Sequence, residues 1–250
     1  MDKEELREKA ISETRDKLQD SVEKDELLVK AVKQLDQVSR DFSNEMETLR
    51  DWYSLHFPEL ESEITDDDQL VDILEKYGIQ RSEIEPFSEL AESSTGTQLG
   101  EEDAQLIEKT VSNLSEMKDL RDELEEYVEN GAQNEFLNLS GLLGPVLATR
   151  LISLAGSLDE LAKKPASTVQ MLGAEKALFR HLHGKGKPPK HGILFQHRFV
   201  RSLPEDKRGK MARFMANKAV MAARIDNYGD KDKSDSLREE VREKYEELKE

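Results

Sequence analysis

The stretch LVKAVKQLDQVSRDFSNEMETLRDW, residues 28–52, decides the fold class. Leu28, Leu35, Phe42 and Leu49 recur at seven-residue intervals, with Ala31, Val38 and Trp52 in the intermediate seam position. Glu45 interrupts that second seam, with Met46 beside it. Such a seam, kept for roughly four heptads, is coiled-coil patterning and not merely one amphipathic face. No Gly or Pro occurs between Lys3 and Phe57, so the spacing predicts one long helix there. Pro58 is expected to end it, because proline donates no backbone hydrogen bond and biases its predecessor away from helix.

Working outward, Thr65 is the expected N-cap for DDDQLVDILEKY, with aspartates in the first turn and Gly78 as the stop. SSTGTQLG, residues 93–100, reads as a small-residue loop. Glu101 to Asn130 reads as a second long helix. Its apolar residues Ile107, Val111, Leu114, Met117, Leu120, Leu124 and Tyr127 step by three or four along one face. Two long helices with narrow apolar stripes are expected to pair antiparallel, with Asn130-Gly131 marking the return. From Asn134 the charge falls and apolar content rises; LSGLLGPVLATRLISLAGSL, residues 139–158, reads as helix broken at Gly144-Pro145. The expected fold is all-α. It comprises a long antiparallel coiled coil over residues 1–132, a compact helical domain over 133–230 and a charged helical tail over 231–250.

Composition narrows the function. Charged residues make up 36% of the 250 and aromatics 6%, and there is no cysteine, which excludes disulfides, thiolate metal sites and cysteine nucleophiles. The longest apolar run, Leu142 to Leu154, is short and interrupted, so no membrane association is expected. The first ten residues, MDKEELREKA, lack the apolar core of a signal peptide, which points to an intracellular protein. The formal net charge is −17, yet residues 163–224 hold 15 Lys plus Arg against 3 acids. A basic island of that size in an acidic chain is an electrostatic footprint for a polyanion.

Inside the island, Ser202-x-x-Glu205 has the pattern of a capping box at the start of a helix. On that helix Ala212, Ala216, Ala219 and Ala223 fall on one side, suited to close helix packing. Lys210, Arg213, Asn217 and Arg224 cluster on another, with Lys207 and Lys218 adjacent. Upstream, Gly184-Lys-Gly-Lys-Pro-Pro-Lys-His-Gly192 is a basic loop whose glycines permit close backbone approach to phosphate. Four of the five histidines, His181, His183, His191 and His197, also lie here, without a metal-binding spacing. They suit stacking on bases or donation to phosphates, and no cofactor is expected. Glu175 is the only acid between Pro165 and Pro204, so paired carboxylates are missing, and no nucleophile sits in a recognisable elbow or triad. These residues point to a non-enzymatic RNA binder. RNA is preferred over duplex DNA because loop, His and Phe179 are mixed with charge.

The same residues carry a family resemblance. GAEKALFRHL, KPPKHGILFQ, RGKMAR and AARID resemble the Nop domain of archaeal and eukaryotic box C/D ribonucleoprotein scaffolds. WYSLHFPEL (residues 52–60) and PASTVQMLGAEK (165–176) resemble further segments of that family, so the likeness covers roughly residues 5–250. It implies recognition of a kink-turn guide RNA together with its small ribosomal-protein-like binder. It also implies support of guide-directed 2′-O-ribose methylation by the methyltransferase fibrillarin. By resemblance, Gly173, Ala174, Glu175 and Lys176 meet RNA and the small binder together, and Ala177, Leu178, Phe179 and Arg180 continue towards the guide duplex. Lys187, Lys190, His191, Gln196, Arg208, Lys210, Arg213, Lys218 and Arg224 are candidate phosphate and RNA contacts. The lone Glu175 is a candidate specificity element.

The family also implies a homo- or heterodimer through the coiled coil, with Leu28, Leu35, Phe42, Leu49, Ile107, Val111 and Leu114 as candidate interface residues. Archaeal scaffolds usually begin with an α/β domain that docks fibrillarin, whereas this chain starts almost at the coiled coil. Fibrillarin is therefore expected either directly or through a full-length partner. The expected location is cytoplasmic for an archaeal chain, and nucleolar or nuclear for a eukaryotic one. Three alternatives remain: a spliceosomal-type or stand-alone Nop protein that binds a kink-turn ribonucleoprotein without recruiting a methyltransferase, a coiled-coil assembly factor that meets an acidic protein, and an independent RNA-modifying enzyme.

Overall fold

The computed structural model describes Arg7 and residues 24–229 and 231–250. Every regular element among them is helical. The part of the expected first helix before Lys24, apart from Arg7, lies outside the described residues. The chain divides into two compact units. One is Gln34–Glu125; the other joins Glu126–Glu250 to the described residues before Gln34.

In the Gln34–Glu125 unit, helix α1 (Lys24–Tyr53) supplies Phe42, Met46, Leu49 and Tyr53 to a core shared with Ala104, Ile107, Val111 and Leu114. These last four belong to α5, introduced below. α1 stops at Tyr53 and not at Pro58. Proline instead occupies the first turn of the short helix α2 (Pro58–Glu63), where its missing N–H costs nothing and its φ is already helical. Helix α3 (Asp67–Tyr77) is capped by Asp66, whose side chain accepts from Gln69 N–H at 2.9 Å. Thr65 is therefore not the cap; a carboxylate one residue later satisfies the free amide and the helix dipole together. Gly78 ends α3 as expected.

Short turns and helix α4 (Ser88–Glu92) lead to the 93–100 segment, which is a loop held by specific bonds. Glu59 accepts from Ser94 Oγ at 2.6 Å and from Thr95 N–H at 2.8 Å. These bonds hold its carboxyl down at about 2. The buried His56 ring bonds the Thr97 carbonyl at 2.7 Å, and a Cβ on Gly96 would overlap His56 O at 1.9 Å. Helix α5 (Glu101–Glu135) then runs antiparallel to α3: Ser115 bonds Glu75, Lys118 pairs with Asp72, and Arg121 pairs with Asp68. The Arg121 guanidinium also lies 5.1 Å from the centroid of the Phe42 ring of α1.

α5 continues through Asn130-Gly131, so that pair is not a turn. A Cβ on Gly131 would sit 2.3 Å from Leu28 Cδ2; the glycine is there for close helix contact. The seven seam residues expected at a dimer interface, Leu28, Leu35, Phe42, Leu49, Ile107, Val111 and Leu114, are all buried within the chain.

In the second unit, α6 (Leu137–Leu143) and α7 (Pro145–Ala155) meet at 115° across Gly144, matching the expected break. No single described helix is long and apolar enough to cross a membrane; this bent pair passes only by length and composition, and it lies in the core. Helix α8 (Leu158–Lys163) and the short α9 (Ala166–Val169) follow. Further along come α10 (Glu175–Leu182), a 3-10 turn over Gly192–Gln196 and α11 (Arg198–Arg201). Helix α12 (Glu205–Tyr228) buries Ala212, Ala216, Ala219 and Ala223 completely, as the alanine spacing required, and packs against α6, α8 and α9. The expected capping box does not form. Pro204 is the N-cap, and Ser202 Oγ instead donates to Tyr245 OH at 3.1 Å. That tyrosine belongs to α13 (Ser234–Lys249).

One carboxylate joins these helices. Asp226 of α12 accepts from the backbone N–H of Asn138 at 2.9 Å and of Leu139 at 2.8 Å, capping α6 from another helix. Asn138 in turn accepts from Lys233 N–H at 2.6 Å just before α13. Burial raises the Asp226 pKa, opposed by the Asn138 and Leu139 bonds. Asp226→Ala strands those amides in a half-buried place, and is expected to lower unfolding free energy by about 1–3 kcal/mol. Urea denaturation of the variant and the parent checks this.

Candidate nucleic-acid interface

The basic island begins where two chain segments are pinched together. Ile193 N–H donates to Leu172 O at 2.7 Å, and Gln170 Nε2 donates to Lys190 O at 2.6 Å. A Cβ on Gly192 would lie 2.3 Å from Leu172 O, and one on Gly173 would meet Ile193 Cβ at 3.1 Å; both glycines have positive φ. The sequence can close this base only with glycine. Residues 174–191 leave it as an arm.

Within the arm, α10 has no buried residue. Its end is a Schellman motif: Lys185 N–H donates to Arg180 O at 2.8 Å, and Gly184 N–H donates to His181 O at 2.9 Å. Glu175 lies in the first turn of α10 and accepts from Gly173 N–H at 2.8 Å. The lone acid of the island thus fixes the pinched base, where the helix dipole also favours it. Lys176 and Arg180, one turn apart, line an open depression of about 760 Å³ with Glu175 and Phe179. Phe179 is 63% exposed and Leu182 72%, while the Phe179 ring rests against His183 at 4.1 Å. Among the described residues, Lys176, Arg180, Lys185 and Lys187 have no ion-pair partner. Ala174, Ala177 and Leu178 are half-buried and support the helix from beneath. Free cations beside exposed rings can hold phosphates and stack bases.

The remaining predicted residues divide by their partners. Lys210 and Arg213 are exposed on α12 without an ion pair among the described residues. Arg224 is exposed on the same face, with its Nε donating to Ala162 O at 2.9 Å. Lys190 lies 3.8 Å from Glu205. Gln196 accepts from Arg150 at 3.1 Å. Arg208 is half-buried, donates to Leu203 O at 2.7 Å and covers the Phe195 ring. Lys218 departs most from an open phosphate contact: Glu240 of α13 takes up its charge, and the side chain is 12% exposed. The sequence showed the α12 stripe but not the acid that a later helix lays across its edge. Lys185 and Leu182 were missed; the GKGK spacing that makes Gly184 a helix stop was the available signal.

The histidines are engaged locally. His181 Nδ1 lies 3.0 Å from Gly186 O and His183 Nδ1 2.9 Å from Phe179 O, while His191 stacks on Phe195 at 4.7 Å. His191 is held below the usual imidazole range by burial, then by Arg208 and Lys190. His197 caps α11 by accepting Phe199 N–H on Nδ1 at 3.2 Å, and burial lowers its pKa to about 4. It is a cap and not a base-stacking ring. Among the described residues, no group of three or more His, Asp or Glu is placed to hold a metal.

A family model described as "snoRNA binding domain, fibrillarin" and named Nop matches residues 34–247. The chain belongs to the Nop family. A NOP5 family protein of Methanocaldococcus jannaschii is 36% identical over 240 residues, covering 91% of this chain and 58% of that protein. Nucleolar protein 58 of Schizosaccharomyces pombe is 36% identical over 233 residues, covering 88% of this chain and 46% of that protein. Nucleolar protein 56 of Saccharomyces cerevisiae is 34% identical over 236 residues, covering 87% and 47%. The chain thus spans about half the length of these curated relatives. A Nop5p chain solved as a fibrillarin/Nop5p complex is similar across 98% of this chain and 78% of its own, at a TM-score of 0.59 and 28% identity. The Nop fold matches the all-helical architecture expected from the heptads and the GAEKALFR segment.

The His197 cap has a definite pH response. Its folded pKa is depressed below the ordinary imidazole value of 6.5, so the cap's stabilisation is present above that value. It is lost as pH falls through about 4. Amide exchange at Phe199 and Val200 is expected to accelerate over that window relative to His197→Asn, which caps without titrating there; identical pH profiles would remove the cap assignment.

Proposed function

We propose that this chain is a non-catalytic RNA-binding scaffold of a box C/D-type ribonucleoprotein. It recognises a kink-turn RNA jointly with that RNA's small ribosomal-protein-like binder. It supports guide-directed ribose 2′-O-methylation carried out by fibrillarin, held directly or through a longer partner. The observation that carries this reading is the 174–191 arm, whose helix buries none of its residues and whose Lys176 and Arg180 flank the exposed Phe179. An unburied helix that exposes Phe179 and Leu182 beside cations suits a composite protein–RNA junction. Membership of the Nop family, with its snoRNA-binding description, supports the same reading, as does the fibrillarin complex in which the structural relative was solved.

In this scheme Gly173–Lys176 meets the junction, Ala177–Arg180 faces the guide duplex, and Lys187, Lys210 and Arg213 hold phosphates. The chain is expected to bind kink-turn RNA weakly alone and far more tightly once the small binder is present. Arg180→Ala and Lys187→Ala are each expected to reduce the salt dependence of that binding by about one unit of log–log slope. Fluorescence anisotropy across a salt series checks both, and equal affinity with and without the small binder would refute the reading.

A dimer remains part of the proposal, moved to a different face. On α5, Leu106, Asn113 and Leu120 repeat every seven residues, and Leu106 and Leu120 are 51% and 42% exposed. Half-buried Met117 falls between Asn113 and Leu120, and half-buried Leu124 follows one turn later. Leu120→Glu is expected to shift a dimer towards monomer in light scattering without lowering helicity.

A further inference from the structure

We propose that Gln170 is the positioning residue of the arm. Its side-chain amide sets the direction in which residues 174–191 leave their base, and with it the gain in RNA affinity that the small binder brings. The proposal rests on the RNA-scaffold reading above and adds a residue that acts without touching RNA.

The arm leaves and rejoins the unit on two stalks. The backbone bond from Ile193 N–H to Leu172 O, at 2.7 Å, holds the stalks together. One such bond fixes where they meet and leaves the arm free to pivot about it. Gln170 supplies the second fixed point. Its own N–H donates to Ala166 O at 2.9 Å at the end of α9, so the root of the side chain is set by that helix. Its backbone carbonyl closes on Gly192, where a Cβ would come to 2.7 Å. From there Nε2 donates to Lys190 O on the returning stalk at 2.6 Å and to Gly209 O on α12 at 3.4 Å. A primary amide has two N–H donors, and each here has a main-chain carbonyl. The same two acceptors fix the orientation of the amide, since the flipped form sets Oε1 against both.

The position suits glutamine by chemistry. Asparagine is shorter, glutamate at neutral pH has no proton to donate, and leucine fills the space without a donor. The returning stalk has a further tie, the Lys190–Glu205 pair at 3.8 Å, but its side chains are 47% and 78% exposed and water screens it. Bare RNA affinity follows the number of cations presented, which a change at 170 leaves alone. Joint recognition of RNA and a protein needs the arm held in one direction beforehand, and that is what the amide supplies.

The chain has no cysteine, so Lys185→Cys takes a single fluorophore on the arm. Without any RNA, the anisotropy of this probe is expected to fall when Gln170→Leu or Gln170→Glu is added at neutral pH. Protonation returns one donor to Gln170→Glu, and the facing carbonyls raise the pKa of that carboxyl. Its anisotropy is therefore expected to climb back towards the parent's as pH falls, whereas Gln170→Leu stays low. In unlabelled chains, Gln170→Leu is expected to cut the affinity gain from the small binder on kink-turn RNA by about tenfold, the scale of one lost hydrogen bond. Bare RNA affinity and salt slope are expected to stay as in the parent. Thermal melts check folding, and the pH response of Gln170→Glu decides if Gln170→Leu melts early. Unchanged anisotropy in both variants would overturn the proposal. So would an undiminished gain from the small binder, or an equal loss of bare and joint affinity. A parent chain that shows no gain from the small binder removes the scaffold reading, while the probe on the arm still tests the Gln170 clamp by itself.

Discussion

The constraint on which the Glu126–Glu250 unit depends is the close packing of α12. Ala212, Ala216, Ala219 and Ala223 have no exposed surface, and α6, α8, α9 and α13 come in against this helix. Larger side chains along that line would hold the neighbouring helices apart. Because the packing stripe is so narrow, the opposite side of the same helix is free to carry cations. Lys210, Arg213 and Arg224 are outward for the same geometric reason that the alanines are inward. Core and cationic surface are thus two faces of one helix.

Polar bonds finish what the alanines begin. Asp226 caps α6 across the unit, and Asn138 extends the bond to the start of α13, so three helices share one buried hydrogen-bonded cluster. A half-buried carboxylate surrounded by donors is specific in a way that apolar contact is not, since any other packing leaves its partners unsatisfied. The arm is positioned by a comparable device at smaller scale. The Gly173–Gly192 pinch and the Glu175 bond to Gly173 fix where α10 leaves, although α10 itself contributes nothing to the core.

The Gln34–Glu125 unit uses charge differently. Lys118–Asp72 and Arg121–Asp68 run along α3 and α5, and Arg50 meets both Glu61 and Asp67. Exposed pairs of this kind contribute little singly but set register as a ladder. The acidic composition of this part of the chain is therefore partly structural. Arg50, Lys118 and Arg121 are matched by acids, whereas Lys176, Arg180, Lys185 and Lys187 of the arm have no ion pair among the described residues.

The sequence by itself determined the helical class, the two long helices, the Gly144-Pro145 break, the alanine stripe and the basic island, because each is a local or periodic property. GAEKALFR and its companions also pointed to the Nop family from residues alone. Only the tertiary structure decided that Gly131 serves helix contact and not a turn, that the heptad seam residues are buried within the chain, and that Asp66 rather than Thr65 caps α3. Only it decided which cations are open. Lys218 looks like Lys210 in sequence, yet Glu240, 22 positions away, reaches the first and not the second. Which charges a protein offers to RNA depends on which acids the fold brings within bonding distance, and periodicity along one helix carries no information about that.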